Sequence, residues 1–261
     1  MHKITNALRR YLFFILVYSS FANMAQAIVN MDDLHFKGKK EPFSGSVSLA
    51  ASSVSGNTDQ SSVNLSTQVQ WNREEYINLI VLGYAYGKSN GERNVKNSFI
   101  HTRHVHQLSE SLDYELYAQL EENEFTRLNY RGLYGAGLRI PFWGSKSHIA
   151  FLGLGGFHEV EKISDSGGGS SDGEIHQTER WNFYLMSRYK GDTVKFSNTL
   201  YWQPRMGDFP DRRGLFVSLL KVKANKDLYM TLKFEVAHDS LPPAGVEETD
   251  KRVKTGFEYE F

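Results

Sequence analysis

The chain of 261 residues contains no cysteine, so disulfides and thiolate metal sites are excluded. It has only 6 prolines, too few to break up extended segments. Charge is balanced, with 30 basic and 30 acidic residues, so there is no basic footprint for nucleic acid. Beyond the N-terminus no stretch approaches the ~18 consecutive apolar residues of a membrane-spanning helix. Mean hydropathy is low, −0.45, yet aromatics make up 13 % of the chain. That pairing does not suit a helical membrane protein. It suits a chain in which only alternate residues meet an apolar phase.

The first 27 residues have the form of a secretory signal. Lys3, Arg9 and Arg10 form a basic start, residues 11–21 an apolar run, and Ala25-Gln26-Ala27 a small-residue cleavage site. The run is too short to span a bilayer comfortably. Removing residues 1–27 leaves 27 basic against 30 acidic residues. Residues 28–42 are polar and mixed, and read as a short periplasmic lead-in to a domain covering residues 43–261.

That domain is written in alternation. The last stretch sets Val253, Phe257, Tyr259 and Phe261 against Arg252, Lys254, Glu258 and Glu260, the two-residue period of a strand with one greasy and one charged face. Val63, Leu65, Thr67, Val69 and Trp71 alternate with serine, asparagine and glutamine; Leu112, Tyr114, Leu116, Ala118 and Leu120 alternate with Asp113, Glu115, Tyr117, Gln119 and Glu121. Leu128, Tyr130, Tyr134, Ala136, Leu138 and Ile140 oppose Asn129, Arg131, Gly135, Gly137 and Arg139. Single strands of this kind also occur in soluble sandwiches. Repetition decides the matter.

Candidate strands fall at residues 43–55, 61–71, 75–87, 94–107, 112–122, 128–140, 147–163, 174–190, 193–205, 212–223, 228–238 and 251–261. Twelve is an even number, and most are of a length to cross the hydrocarbon at a tilt. Connections at 72–74, 108–111, 141–146, 191–192 and 224–227 are short, whereas 164–173 and 239–250 are longer. The fold expected is therefore all-β: an antiparallel transmembrane β-barrel of about 12 strands, of outer-membrane type, with its longer loops outside the cell. Trp71, Tyr76, Phe142, Trp143, Tyr189 and Phe261 are expected near one membrane boundary, and Trp181 and Trp202 near the other.

Residues 125–139, read F-T-R-L-N-Y-R-G-L-Y-G-A-G-L-R, resemble the F-x-x-L-x-x-R-x-L-x-G-A-G-L-R segment of a family of uncharacterised outer-membrane β-barrel proteins labelled salt-induced. Gly56-Asn57-Thr58-Asp59 is similar to the turn after that family's first strand, and Arg103-His104 and Ala118-Gln119 sit where it has similar residues. The resemblance implies an outer-membrane barrel and brings no catalytic residues with it.

On the inward faces, Glu115, Gln119, Glu121, Arg131 and Arg139 are the lumen-lining candidates, placed to form an ionic ladder across the lumen. Such a ladder either holds the barrel's shape or selects solutes by charge. Gly135 and Gly137 beside them leave room for neighbours to fill a narrow lumen. His104 and His106 share a strand face without an identifiable third metal ligand. The His-x-Ser dyad and Asn-Gly of an outer-membrane lipid hydrolase are missing, so no enzyme, cofactor or metal is expected. Partners expected are the lipid bilayer with its lipopolysaccharide, the barrel-assembly machinery acting on the Phe261 strand, and small solutes. The function expected is a narrow passive channel or an envelope-stress barrel; the alternative is a closed barrel acting through its outer loops.

Overall fold

The computed structural model describes residues 42–54, 60–124, 128–163, 173–243 and 245–261. The expected signal at 1–27, most of the lead-in, the turn at 56–59 and nearly all of the loop at 164–173 lie outside them. The described residues form twelve strands: β1 (Phe43–Val54), β2 (Gln60–Asn72), β3 (Tyr76–Ser89), β4 (Glu92–Ser109), β5 (Leu112–Asn123), β6 (Leu128–Gly144), β7 (His148–Ile163), β8 (Ile175–Lys190), β9 (Val194–Arg205), β10 (Asp208–Lys223), β11 (Leu228–Asp239) and β12 (Thr249–Glu260). Each pairs antiparallel with its neighbours in sequence, and β1 pairs with β12 to close the barrel. Closure along residues 46–49 and 257–260 covers the lower part of the edges that an open sheet would present.

The alternation sorts residues as an inside-out protein. Val63, Leu65, Leu116, Leu120, Tyr134, Met230, Val253 and Phe257 are exposed on the outer wall, while Ser62, Gln70, Glu115, Gln119, Glu235 and Glu258 are buried inside. Apolar outside and polar inside is stable only if the outer wall meets lipid. Aromatics gather at both rims. Phe43 lies 5.8 Å from Trp71 and 6.3 Å from Phe261 at the end where β1 begins and β12 finishes, hereafter the end of the termini. Trp181, Phe183 and Trp202 stack in series towards the far end.

Three details depart from the sequence reading. Leu128 was expected on the greasy face with Tyr130, but it is 2 % exposed and faces inward, while Asn129 is exposed. A register shift between Leu128 and Tyr130 adds a residue on one side of the ladder, which flips Leu128 to the other face. Secondly, β6 runs through Pro141 to Gly144, because a second shift at Pro141/Trp143 places the proline where no ladder donor is needed. Thirdly, two far-end connections are tight. Asn90 and Gly91 both have positive φ, 51° and 83°, which closes β3–β4 in two residues, and Met206-Gly207 does the same for β9–β10.

Candidate functional site: the barrel interior

The interior has two unlike halves. Strands β4 to β10 fill theirs. Towards the far end Arg131 is paired with Glu161, and lies 3.6 Å from Glu121 and 3.8 Å from Glu159. Arg213 reaches over from β10, donating to Glu159 at 2.9 Å, Glu161 at 3.1 Å and Asp239 at 2.9 Å. Arg180 donates to Glu159 at 2.8 Å and pairs with Asp211 at 2.8 Å. Arginine suits this task because its planar fork serves several carboxylates at once.

Nearer the termini, Arg103 donates to Glu115 at 3.0 Å, and Tyr184 donates to the same carboxylate oxygen from β8. Asn182 donates to Tyr117 Oη at 3.1 Å, and Tyr117 to the Gly156 carbonyl at 3.2 Å. These rings lie where β6 and β7 have glycine. A Cβ on Gly153 would stand 1.9 Å from Tyr184, and one on Gly135 2.7 Å from Tyr117. The missing side chains are therefore the space that the tyrosines occupy.

All five sequence candidates lie in this packed half. Glu115, Gln119, Glu121, Arg131 and Arg139 are each at most 5 % exposed. Arg131 meets Glu121 in direct register on the neighbouring strand, rather than across the lumen. Glu115 instead takes Arg103 from the preceding strand, because Gly137 stands opposite it on β6. Arg139 stands opposite Asp113, and its guanidinium lies 3.7 Å from the centre of the Phe151 ring. Gln119 bridges His101, at 3.1 Å, to Glu121, also at 3.1 Å.

The interior also contains apolar packing, which a purely polar lumen reading does not anticipate. Ile149, Phe151, Met186, Tyr201, Leu215 and Val217 form one buried cluster, and Ile77, Leu79, Val81 and Val105 another. The inward apolar residues of β3 were concealed because that strand is apolar on both faces. His104 and His106 point to the outer wall and stack on each other; His106 stacks on Tyr114, His104 lies tilted to it, and His104 Nδ1 is 2.8 Å from Asn78 Oδ1. They belong to the aromatic rim.

The second half, from β10 through β12 to β3, holds a cavity of about 210 Å³. Ser46, Ser48, Asn64, Ser66 and Gln68 line one side and Lys221, Lys233 and Lys254 another, with Val81, Ala85, Phe99 and Leu219 between them. Short polar side chains on β1 and β2 leave the space. Lys221 donates to Glu258 at 2.6 Å, Lys233 pairs with Glu235 at 2.8 Å, and Lys254 donates to Asn64 Oδ1 at 3.1 Å from across β1. None of the five sequence candidates borders this cavity. The serine, asparagine and glutamine alternation of β1–β2 was the signal that could have found it.

No curated protein matches the sequence. Among solved structures the barrel is similar to the NanC porin, with 7 % identity and a TM-score of 0.51 over 83 % of this chain and 98 % of that one. It is also similar to an outer membrane channel from Pseudomonas putida F1, with 13 % identity and a TM-score of 0.50 over 89 % of this chain and all (100 %) of that one. At these identities the likeness is one of fold. A family model matches residues 47–261, nearly the whole barrel, and the chain belongs to the family described as protein of unknown function DUF481.

Proposed function

We propose that the protein is an outer-membrane barrel that gives small polar solutes a narrow passive route, and that the route follows the β10–β12 and β1–β3 wall. The observation that carries this reading is the unequal interior. One half is braced by buried ion pairs and aromatic packing, and the other keeps a cavity of about 210 Å³ in which three lysines and a wall of serine, asparagine and glutamine stand beside apolar Val81, Phe99 and Leu219. An outer band of exposed Leu, Val, Phe and Tyr supports placement in a bilayer, and the fold likeness to a porin and an outer membrane channel supports transport over catalysis. In this reading Glu115, Gln119, Glu121, Arg131 and Arg139 brace the wall, and Ser66, Gln68 and the lysines line the passage. Residues 1–27 are removed on export, and the Phe261 strand engages the assembly machinery.

The test is conductance of the purified, heat-modifiable protein in a planar bilayer. Small reproducible unitary steps are expected. Ser66→Trp, which places a large ring in the cavity, reduces them, and Leu116→Trp on the outer wall, away from the cavity, does not. Silence over many insertions of folded protein would instead favour the second reading, a closed barrel, for which the packing of β4–β10 is the specific support. A role in salt or osmotic stress predicts impaired growth of a deletion strain at high salt.

A further inference from the structure

On the inner faces of β11 and β12, Lys233 and Lys254 stand directly opposite each other in the ladder. Like charges in that relation repel and destabilise a strand pair, so the arrangement needs another reason. Only one carboxylate serves this group closely. Glu235 takes Lys233 at 2.8 Å and Arg252 at 3.8 Å, while Lys254 makes its hydrogen bond to the neutral Asn64 and no ion pair among the described residues. Asp250 lies further up β12, opposite Ala237. The cavity's own lining contains three lysines and a single carboxylate, Glu258. Both oxygens of that carboxylate are taken, by Lys221 at 2.6 Å and Ser48 at 3.2 Å. The facing wall, Ser46, Ser48, Asn64, Ser66 and Gln68, offers hydroxyl and amide groups but no charge.

We propose that this cavity selects small anions, with Lys254 and Lys233 as the selecting pair. The inference rests on the reading of the barrel as a passage and names what passes. An ammonium held by a neutral amide can exchange that hydrogen bond for a passing anion without leaving a carboxylate unpaired. Hydroxyls and amides opposite replace part of the anion's hydration shell, as a filter must if entry and exit are both to be easy. Lys221, locked to Glu258, positions the wall and takes a smaller part.

The experiment is the reversal potential of single channels under a tenfold potassium chloride gradient. The natural protein is expected to reverse at the potential of an anion-preferring pore. Lys254→Gln lowers the chloride-to-potassium permeability ratio. The pair Lys233→Glu with Lys254→Glu inverts it, by roughly fivefold or more, the scale of contacts between unit charges in water. Heat-modifiable mobility verifies that each variant is folded; if the double variant does not fold, the natural protein and Lys254→Gln decide. Channels that open but prefer potassium, or show no preference, overturn the anion assignment and leave the passage intact. Absence of any unitary current in folded natural protein overturns the passage itself.

Discussion

Among single residues, Arg213 shows how the packed half is held. Its guanidinium serves Glu159, Glu161 and Asp239 together, and it is 8 % exposed. Taking one partner from a buried charge network leaves the others uncompensated, at a cost of about 3–5 kcal/mol. Arg213→Ala is therefore expected to lower the unfolding free energy in urea by that order. Arg205 is a fair control: it lies 3.8 Å from Asp211 with its side chain 47 % exposed, and exposed pairs contribute about 0–1 kcal/mol. Equal effects of Arg213→Ala and Arg205→Ala would sink the bracing argument. The inward placement of Arg131 and Glu121 was legible from alternation alone. That Arg213 joins them was not, since β10 lies far from β6 in the chain and meets it only across the closed barrel.

At the level of strands, the seam between β1 and β12 is incomplete. Residues 46–49 of β1 oppose 257–260 of β12, and Gly45 and Phe261 exchange two backbone hydrogen bonds below them. Above that, residues 50–54 pair with β2 but not with β12, although β12 continues upward paired to β11. An unpaired backbone group in hydrocarbon costs several kcal/mol, so these groups need water. The cavity borders the seam at Leu49, Ala50, Thr255 and Phe257, which brings lumen water within reach. Hydrogen exchange is the measurement: in β12 above Gly256, amides directed at β1 should exchange faster than those directed at β11. Uniform protection along both edges would show the seam to be zipped throughout. The strand pattern announced that the last strand closes on the first, but not where closure stops.

Across the molecule as a whole, stability follows from matching a polar interior and apolar exterior to a bilayer. Leu65 is 44 % exposed on the outer wall, beside mid-barrel residues of the cavity. An arginine on the lipid face near the midplane costs about 2–4 kcal/mol, and far less at the rims. Leu65→Arg should thus destabilise the folded barrel in lipid vesicles by that amount, whereas Phe142→Arg at the termini-bearing rim should be nearly silent. Insensitivity at Leu65 would mean that this wall does not face hydrocarbon. The proposed conductance and its selectivity belong to this scale as well, since each needs the intact ring of strands.

The strands, their number and, with Leu128 and Asn129 as the exceptions, the face on which the patterned residues lie follow from the sequence alone, because a period of two is a local property of the backbone. The sequence also marked the aromatic rims and the closing strand. Which inward residues brace the wall and which border open space depends on how the ring closes. Neighbours across a barrel are set by closure and by register shifts such as the one at Leu128, and these bring Arg213 to Glu159 while leaving Lys254 facing Asn64. Alternation tells a side chain which way to point. The closed ring tells it what it meets.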